Sequence, residues 1–157
     1  MRSTAAIIFI VSSLNFPQSA FAMGGDHTTP AATPAAESDF TRGRSAIDKK
    51  DWAGAISAFE KVVAQDARNA DAYNWLGYAS RKSGKLDAAF KYYDKALALD
   101  PKHKGAYEYQ GEAFLMAGQP AKADENLGKL ATLCNSRCEE YKDLKEAIEA
   151  YKLGKKP

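Results

Sequence analysis

Two cysteines and two histidines supply the thiol and imidazole groups of this 157-residue sequence, which could bind zinc or copper, and the thiols could carry redox chemistry. Cys134 and Cys138 form a C-x-x-x-C pair, and His27 and His103 lie at a distance from it in sequence. The spacing is neither the C-x-x-C of a thioredoxin-like couple nor the C-x-x-C-H of haem attachment. A four-ligand zinc site would need all four residues. We therefore expect no metal and no cofactor, while a redox or copper-binding pair at the two cysteines stays open as an alternative.

The sequence lacks the motifs of common enzyme classes. It has no Ser/His/Asp ordering, no phosphate-binding loop, no H-E-x-x-H and no nucleophile with a base at a recognisable spacing. Hydrophobic residues make up 45% of the chain and charged residues 27%, and 22 Lys and Arg against 20 Asp and Glu leave a net charge of +2. This balance is typical of a globular protein and disfavours one that coats nucleic acid by bulk charge. We expect no enzyme and no nucleic-acid partner.

The first 22 residues have the three parts of a secretory signal peptide. Arg2 supplies a positive charge, Ala5–Leu14 is a short apolar run, and Ala20-Phe21-Ala22 is an A-x-A cleavage pattern. A membrane-spanning helix needs about 18 or more apolar residues, which this run does not reach. We predict cleavage after Ala22, no membrane insertion afterwards, and export to a bacterial periplasm, with secretion as the alternative.

Residues 23–36 read MGGDHTTPAATPAA and show no apolar period. Gly, Pro, Thr and Ala dominate, so we predict a disordered linker in which His27 is a solvated residue. Export would place Cys134 and Cys138 in a compartment where disulfides persist, which favours an oxidised pair.

Residues recur with a period of 34 from about residue 36 onward. The recurring columns include Gly43, Gly77 and Gly111; Ala55, Ala89 and Ala123; Asp39, Tyr73 and Tyr107; Phe59, Tyr93 and Leu127; and Val62, Ala96 and Leu130. A fixed period of this length predicts stacked copies of one structural unit.

This pattern resembles that of the tetratricopeptide repeat family, which reads W-x-x-L-G-x-x-Y, then A-x-x-x-F, then P. The middle repeat is the closest match, through Tyr73, Leu76, Gly77, Ala89, Tyr93, Ala96 and Asp100-Pro101. Ser80 departs from the pattern, as do Arg42 and Ala67 in the first repeat and Gln110 in the third. The resemblance implies an all-α, right-handed superhelical array over residues 37–135. Its three helix-turn-helix repeats are 36–69, 70–103 and 104–135.

The repeat boundaries predict helices over 37–49 and 52–65, 70–82 and 86–99, and 104–116 and 120–133. His103 is expected to be a solvated residue of an inter-repeat loop. A seventh helix is predicted within 136–153, because Ser136 and Glu139 match the S-x-x-E capping box and the helix would start at Arg137. Tyr141, Leu144, Ile148 and Tyr151 form its apolar stripe, which is typical of the cap that closes a repeat array. A detachable, partner-binding helix is the alternative.

The two cysteines fall at the corner between the third repeat and this cap. A corner can bring their α-carbons into the disulfide range, so we predict a Cys134–Cys138 disulfide that fixes the angle of the cap. The stretch from Cys134 to Leu144, with Cys-x-x-x-Cys-Glu-Glu-Tyr followed by Asp-Leu, also resembles the tail of small exported bacterial repeat proteins.

The resemblance implies a concave groove, lined by the first helix of each pair, that holds an extended peptide or a partner helix. The repeat register places nine residues there: Phe40, Arg44 and Ile47; Asn74, Tyr78 and Arg81; and Glu108, Glu112 and Leu115. Some relatives grip a terminal carboxylate with Lys and Asn in this groove, and the matching positions here do not carry that clamp. We predict a non-catalytic, monomeric adaptor or scaffold with a protein or peptide partner. The alternatives are a redox or metal-handling protein and a self-associating module.

Overall fold

The computed structural model describes residues 38–155, and across them it contains helices and no strand. The helices are α1 (Asp39–Asp48), α2 (Trp52–Gln65), α3 (Ala70–Lys82), α4 (Leu86–Leu99), α5 (Lys104–Met116), α6 (Pro120–Cys134) and α7 (Glu139–Lys152). Each helix packs on the next in chain order, and α7 packs on both α5 and α6. The predicted all-α fold of three helix pairs and a further helix is confirmed. The predicted signal peptide and linker, residues 1–36, lie outside the described residues.

Polar side chains begin the first three helices. Ser38, Asp51 and Asn69 each accept a hydrogen bond from a backbone N–H in the first turn of the helix that follows. These bonds satisfy amides that have no partner within the helix, and each typically stabilises a helix by about 1 kcal/mol.

His103 begins α5 in the same manner, and the prediction that it is a solvated loop residue is wrong. Its Nδ1 accepts a hydrogen bond from the amide of Ala106 at 3.1 Å. Its Nε2 lies 3.0 Å from Oδ1 of Asp71, in the first turn of α3, and the side chain is only 12% exposed. The Nδ1 atom caps α5, because an amide in the first turn of a helix needs an acceptor outside the helix. The contact of Nε2 with Asp71 joins α5 to α3, and with it the third repeat to the second.

Glycine is required at two turns inside the helix pairs. Gly84 has φ +81° and Gly118 has φ +71°, in the left-handed region where other residues are strained. These turns reverse the chain after α3 and α5 and set each second helix against its first.

Close packing inside the repeats depends on a glycine notch in each first helix. A Cβ on Gly43 would lie 2.7 Å from the ring of Phe59, and one on Gly77 would meet the ring of Tyr93, so an aromatic ring from the second helix fills each notch. In the third repeat the atoms nearest to such a Cβ, at 2.6 Å from Gly111, belong to Leu144 of α7. The cap thus supplies the side chain that the second helix supplies in the first two repeats.

The cap helix starts later than predicted. Asn135 (φ 51°) and Ser136 (φ 59°) are both in the left-handed region, and α7 begins at Glu139 after an extended Cys138. An N-cap residue needs an extended backbone, so Ser136 cannot cap the helix, and the predicted start at Arg137 is wrong. The structure joins Cys134 to Cys138 by a disulfide across this corner, with their α-carbons 5.7 Å apart.

Burial of its apolar stripe holds α7 in place. Leu144 and Ile148 lie in one core cluster with Leu115, Ala123 and Leu130, and Tyr141 and Tyr151 pack at its edge. Full burial of a Leu or Ile side chain stabilises a fold by about 1.5–3 kcal/mol. None of the helices described is both long enough and apolar enough to cross a membrane.

Candidate peptide-binding face

The structure divides the nine predicted groove residues into three groups. Phe40, Arg44, Tyr78 and Glu112 are half-buried, and Asn74, Arg81 and Glu108 are buried polar residues of α3 and α5. Ile47 and Leu115 belong to hydrophobic core clusters, in contact with neighbouring helices. The prediction that these two line an open groove is wrong, because their apolar side chains are covered by the helices that pack beside them.

Four aromatic rings from α2, α3 and α5 come together on one face. Trp52, Trp75, Tyr78 and Tyr109, called here the aromatic cluster, are all half-buried. Ring centroids are 4.9 Å apart between Tyr78 and Tyr109, 5.5 Å between Trp75 and Tyr78, and 6.2 Å between Trp52 and Tyr78. Tilted and edge-to-face pairs at these distances add to the energy of burial. The cluster is therefore a rigid surface of partly exposed rings.

Sequence reasoning placed only Tyr78 of this cluster in the groove. Trp75 and Tyr109 are separated by 34 residues, so an aromatic column at this position was visible in the repeat. The column is broken in the first repeat, where Thr41 takes the position. The family pattern places the groove at neighbouring positions of the helix, and this column lies beside them.

Cations lie over the rings of the cluster. The guanidinium carbon of Arg44, on α1, is 3.8 Å from the centre of the Trp75 ring. Arg81 lies 5.3 Å from the ring centre of Tyr78 and 5.8 Å from that of Tyr109, and Lys82 lies 5.7 Å from Tyr78. Each such cation–π contact stabilises by about 0.5–1 kcal/mol at an exposed site and more when water is excluded.

Arg81 is fixed by an ion pair between α3 and α5. It is 4% exposed, and its Nη2 lies 2.5 Å from Oε2 of Glu112. Its Nη1 approaches the sulfur of Met116 at 3.9 Å. A buried guanidinium needs such a partner, so loss of Glu112 would leave an uncompensated charge beneath the aromatic cluster. The pair therefore holds the two helices, and the rings they carry, at a fixed separation.

Glu108 is a buried carboxyl group on the same face of α5. It is 7% exposed and makes no hydrogen bond or ion pair in the part of the chain that the structure describes. Burial, followed by the carboxylates of Glu112, Asp143 and Glu140, raises the pKa of Glu108 to about 8 against the opposing effect of Arg81. Burial, with Glu108 as the next cause, also raises the pKa of Tyr109 to about 12, so that hydroxyl remains a donor at neutral pH.

Gln110 stands where the repeat pattern has Leu, and both its amide oxygen and its amide nitrogen make a hydrogen bond. It accepts a hydrogen bond from Asn126 at 3.0 Å and donates one to Asp94 at 2.7 Å, and Asn126 also donates to the carbonyl oxygen of Tyr107. This network links α4, α5 and α6 and satisfies buried polar groups, so it is a structural feature of the third repeat.

The remaining candidate residues stand apart from this face. Phe40 packs edge-on against Phe59, with ring centroids 5.4 Å apart, at the edge of the first core cluster. Cys134 and Cys138 close the corner between α6 and α7. Within residues 38–155, no group of three or more His, Cys, Asp or Glu side chains is arranged to hold a metal ion.

One curated relative is the DnaJ protein P58IPK homolog of Arabidopsis thaliana. It is 34% identical to this chain over 97 residues, which are 60% of this chain and 19% of that protein. The match therefore spans about a fifth of the length of the relative.

Several solved structures share the fold. The TPR2B domain of yeast Sti1, solved as a pHsp70 complex, aligns with a TM-score of 0.67 at 20% identity and covers 74% of this chain and 95% of that chain. The chaperone SycD of Yersinia enterocolitica, with a peptide of the translocator YopD, gives 0.64 at 20% identity, covering 74% of this chain and 91% of that one. The second TPR domain of human RPAP3, with the HSP70 peptide SGPTIEEVD, gives 0.63 at 22% identity, covering 70% and 92%.

These likenesses confirm the superhelical fold of this chain. Two tetratricopeptide repeat models match its sequence, one over residues 40–104 and one over residues 92–125. Together they cover residues 40–125, more than half of the 157 residues. The chain belongs to the tetratricopeptide repeat family.

Proposed function

We propose that this protein is a non-catalytic adaptor that works as a monomer in a bacterial periplasm and binds an extended peptide or a partner helix on the aromatic cluster. The observation that carries the proposal is the partly exposed set of Trp75, Tyr78 and Tyr109 rings beside Arg44. The Sti1, SycD and RPAP3 domains with the same fold were each solved with a peptide or protein partner.

The chemistry of this surface suits binding. Tyr, Trp and Arg are the residues most enriched among binding hot spots, because they offer large contact areas at a small entropic cost. The Arg81–Glu112 pair fixes the helices that carry the rings, so little order would have to be gained when a partner binds. In contrast, the absence of a matched nucleophile and base in the sequence gives catalysis no support.

A double variant tests this surface. Arg44→Ala with Tyr78→Ala removes one cation and one ring from the cluster. Lys91→Ala with Tyr92→Ala removes the same two kinds of side chain from α4. Tagged full chains are used to capture partners from envelope extract, with mass spectrometry to compare the captured sets. We expect the α4 variant to capture the same partner as the parent chain and the cluster variant to lose it. Equal capture by both variants would refute this site.

Export and oligomeric state have their own tests. The A-x-A pattern at Ala20-Phe21-Ala22 supports export with cleavage after Ala22. The full-length protein, expressed in a Gram-negative host, should be recovered from the periplasmic fraction with Met23 as its first residue. Light scattering on the recovered protein should give the mass of one chain. Cytoplasmic retention with an intact Met1 would contradict the localisation, and a dimer mass would contradict the monomer.

A further inference from the structure

The third repeat and the cap bring four carboxyl groups to one place. Glu108 and Glu112 are one turn apart on α5, and Glu140 and Asp143 are one turn apart on α7. Lys104, one turn before Glu108, has its ammonium group 3.6 Å from Glu140, and Leu144 fills the notch at Gly111. These two contacts set the first half of α7 beside the first half of α5. Glu108, Glu112, Glu140 and Asp143 are called here the acidic pocket.

The cations near the acidic pocket are already engaged. Arg81 forms an ion pair with Glu112 at 2.5 Å, and Lys104 forms an ion pair with Glu140 at 3.6 Å. Among residues 38–155 no group donates a hydrogen bond to Glu108, although it is more than nine-tenths buried. A buried polar group without a partner costs on the order of the full desolvation energy of that group. Glu108 is therefore held mostly protonated at neutral pH, and its ionised form lacks a cation or a hydrogen-bond donor among the described residues.

The Glu108 carboxyl group is also reachable from outside. Within residues 38–155, the side-chain N and O atoms that are buried from solvent and make no hydrogen bond belong to Asn74, Arg81 and Tyr93. The Glu108 oxygens are not among these atoms. Its oxygens thus keep a small contact with solvent. Arg81 links the two groups of side chains, because it pairs with Glu112 of the acidic pocket and also lies 5.8 Å from the ring centre of Tyr109, so the acidic pocket lies beside the aromatic cluster.

We propose that the partner segment is basic, and that one of its Lys or Arg side chains enters the acidic pocket and pairs with Glu108 while a neighbouring aromatic or apolar residue packs on the aromatic cluster. This inference rests on the proposed function and names the chemistry of the partner. Charge complementarity supports it, because three further carboxylates surround Glu108. An acidic segment would instead meet these like charges at the third repeat, which disfavours it by repulsion.

A displayed library of random heptapeptides tests the inference on the full-length protein at pH 8.5. The parent chain should enrich peptides in which Lys or Arg stands next to an aromatic residue. Glu108→Gln should enrich the aromatic residue alone, because its amide cannot pair with a cation. Asp143→Asn, an exposed change that leaves the core untouched, should reduce the enrichment of Lys and Arg by a smaller factor. Circular dichroism checks that both variants keep their helices.

The outcomes separate the two proposals. If the parent chain enriches no more peptide than Arg44→Ala with Tyr78→Ala, the aromatic cluster is not a binding site and the proposed function fails. If the parent chain enriches aromatic or acidic peptides without Lys or Arg, the binding site stands and the basic partner is wrong.

Proton linkage gives a second measurement on one selected Lys-containing peptide. The pKa of Glu108 near 8 arises from burial and from Glu112, Asp143 and Glu140, against Arg81. Because a cation binds the ionised form, the dissociation constant should fall on the order of tenfold from pH 6.5 to pH 8.5, while the Lys side chain stays charged. Glu108→Gln should bind equally at both values. A parent chain without this pH dependence would contradict the pairing with Glu108.

Discussion

The guanidinium group of Arg44 lies 3.8 Å above the indole ring of Trp75, and this contact joins the first repeat to the second at the aromatic cluster. Arg44 belongs to α1 and Trp75 to α3, so the contact bridges two first helices across α2. Few polar contacts join these two repeats, since their interface consists mainly of the first core cluster. The side chain of Arg44 therefore contributes both to the array and to the surface offered to a partner.

Removal of this cation should weaken the array measurably. We expect Arg44→Ala to lower the free energy of unfolding by about 1 kcal/mol, because the cation–π contact is lost from a half-buried site. Lys49→Ala, at the exposed end of the same helix, should change it by less than about 0.5 kcal/mol. Urea titration followed by circular dichroism gives both values. An equal effect of the two substitutions would show that the contact adds no stability.

Replacement of Gly111 and of Gly128 by Ala should change the stability in opposite directions. Gly111→Ala should destabilise the fold by about 1–3 kcal/mol, because its Cβ would lie 2.6 Å from Leu144. Gly128→Ala, on α6, meets nothing within 4 Å and should stabilise it by about 0.5–1 kcal/mol through helix propensity. Thermal and urea unfolding compare the two variants.

Leu144→Ala supplies the double-mutant test of this contact. Alone it should cost about 2–4 kcal/mol. In its presence Gly111→Ala should cost less than it does in the parent chain, because the crowded methyl groups are gone. Additive effects would mean that the two side chains do not meet.

Stability should fall as the pH rises because of Glu108. Its pKa is raised from 4.5 to about 8 in the folded protein, so the folded state binds a proton that the unfolded state loses. The resulting stability is fully present below about pH 4.5 and is lost as the pH rises through about 8. Glu108→Gln should flatten this part of the curve and be the more stable protein at pH 8.5, by about 1 kcal/mol. Urea midpoints between pH 5 and pH 9 measure the difference, and parallel curves would contradict the assignment.

The disulfide should act locally. Its loop encloses only three residues between Cys134 and Cys138, so chain entropy contributes at most about 2 kcal/mol. In the Cys134→Ser, Cys138→Ser variant we expect faster amide hydrogen exchange in the first turn of α7 and unchanged exchange in α1 to α4. A free-thiol assay on the parent protein, purified without reductant, should find no reactive thiol. Two reactive thiols would favour the redox or metal-handling alternative.

The 34-residue period was enough to predict the helices, because it reports the small and aromatic residues that let helices pack. Gly43 and Gly77 show this directly, since the space beside each is filled by an aromatic ring from the second helix of the same repeat. The third repeat departs from the rule because the partner of Gly111 comes from α7, a helix outside the period. Contacts between unlike elements leave no trace in a repeat pattern.

The site was harder to predict for the same reason. Ile47 and Leu115 occupy groove positions of the family pattern, yet neighbouring helices cover them. The burial of Glu108 and the ion pair of Arg81 depend on residues from three helices, which spacing along the chain does not bring together. At the α7 corner, the S-x-x-E pattern is too short to show that Asn135 and Ser136 take left-handed conformations. Local motifs predict caps only where the backbone is free to adopt them.

The position of Leu144 also limits where further repeats can be added to the array. Additional repeats stacked directly on α5 and α6 would have to occupy the surface that Leu144 and Ile148 now cover, and would first have to expel them. Gene duplication could thus lengthen this solenoid at its beginning or between existing units, but not at the end where α7 lies. One leucine side chain in a glycine notch thus fixes the end of the array at which no further unit can be stacked.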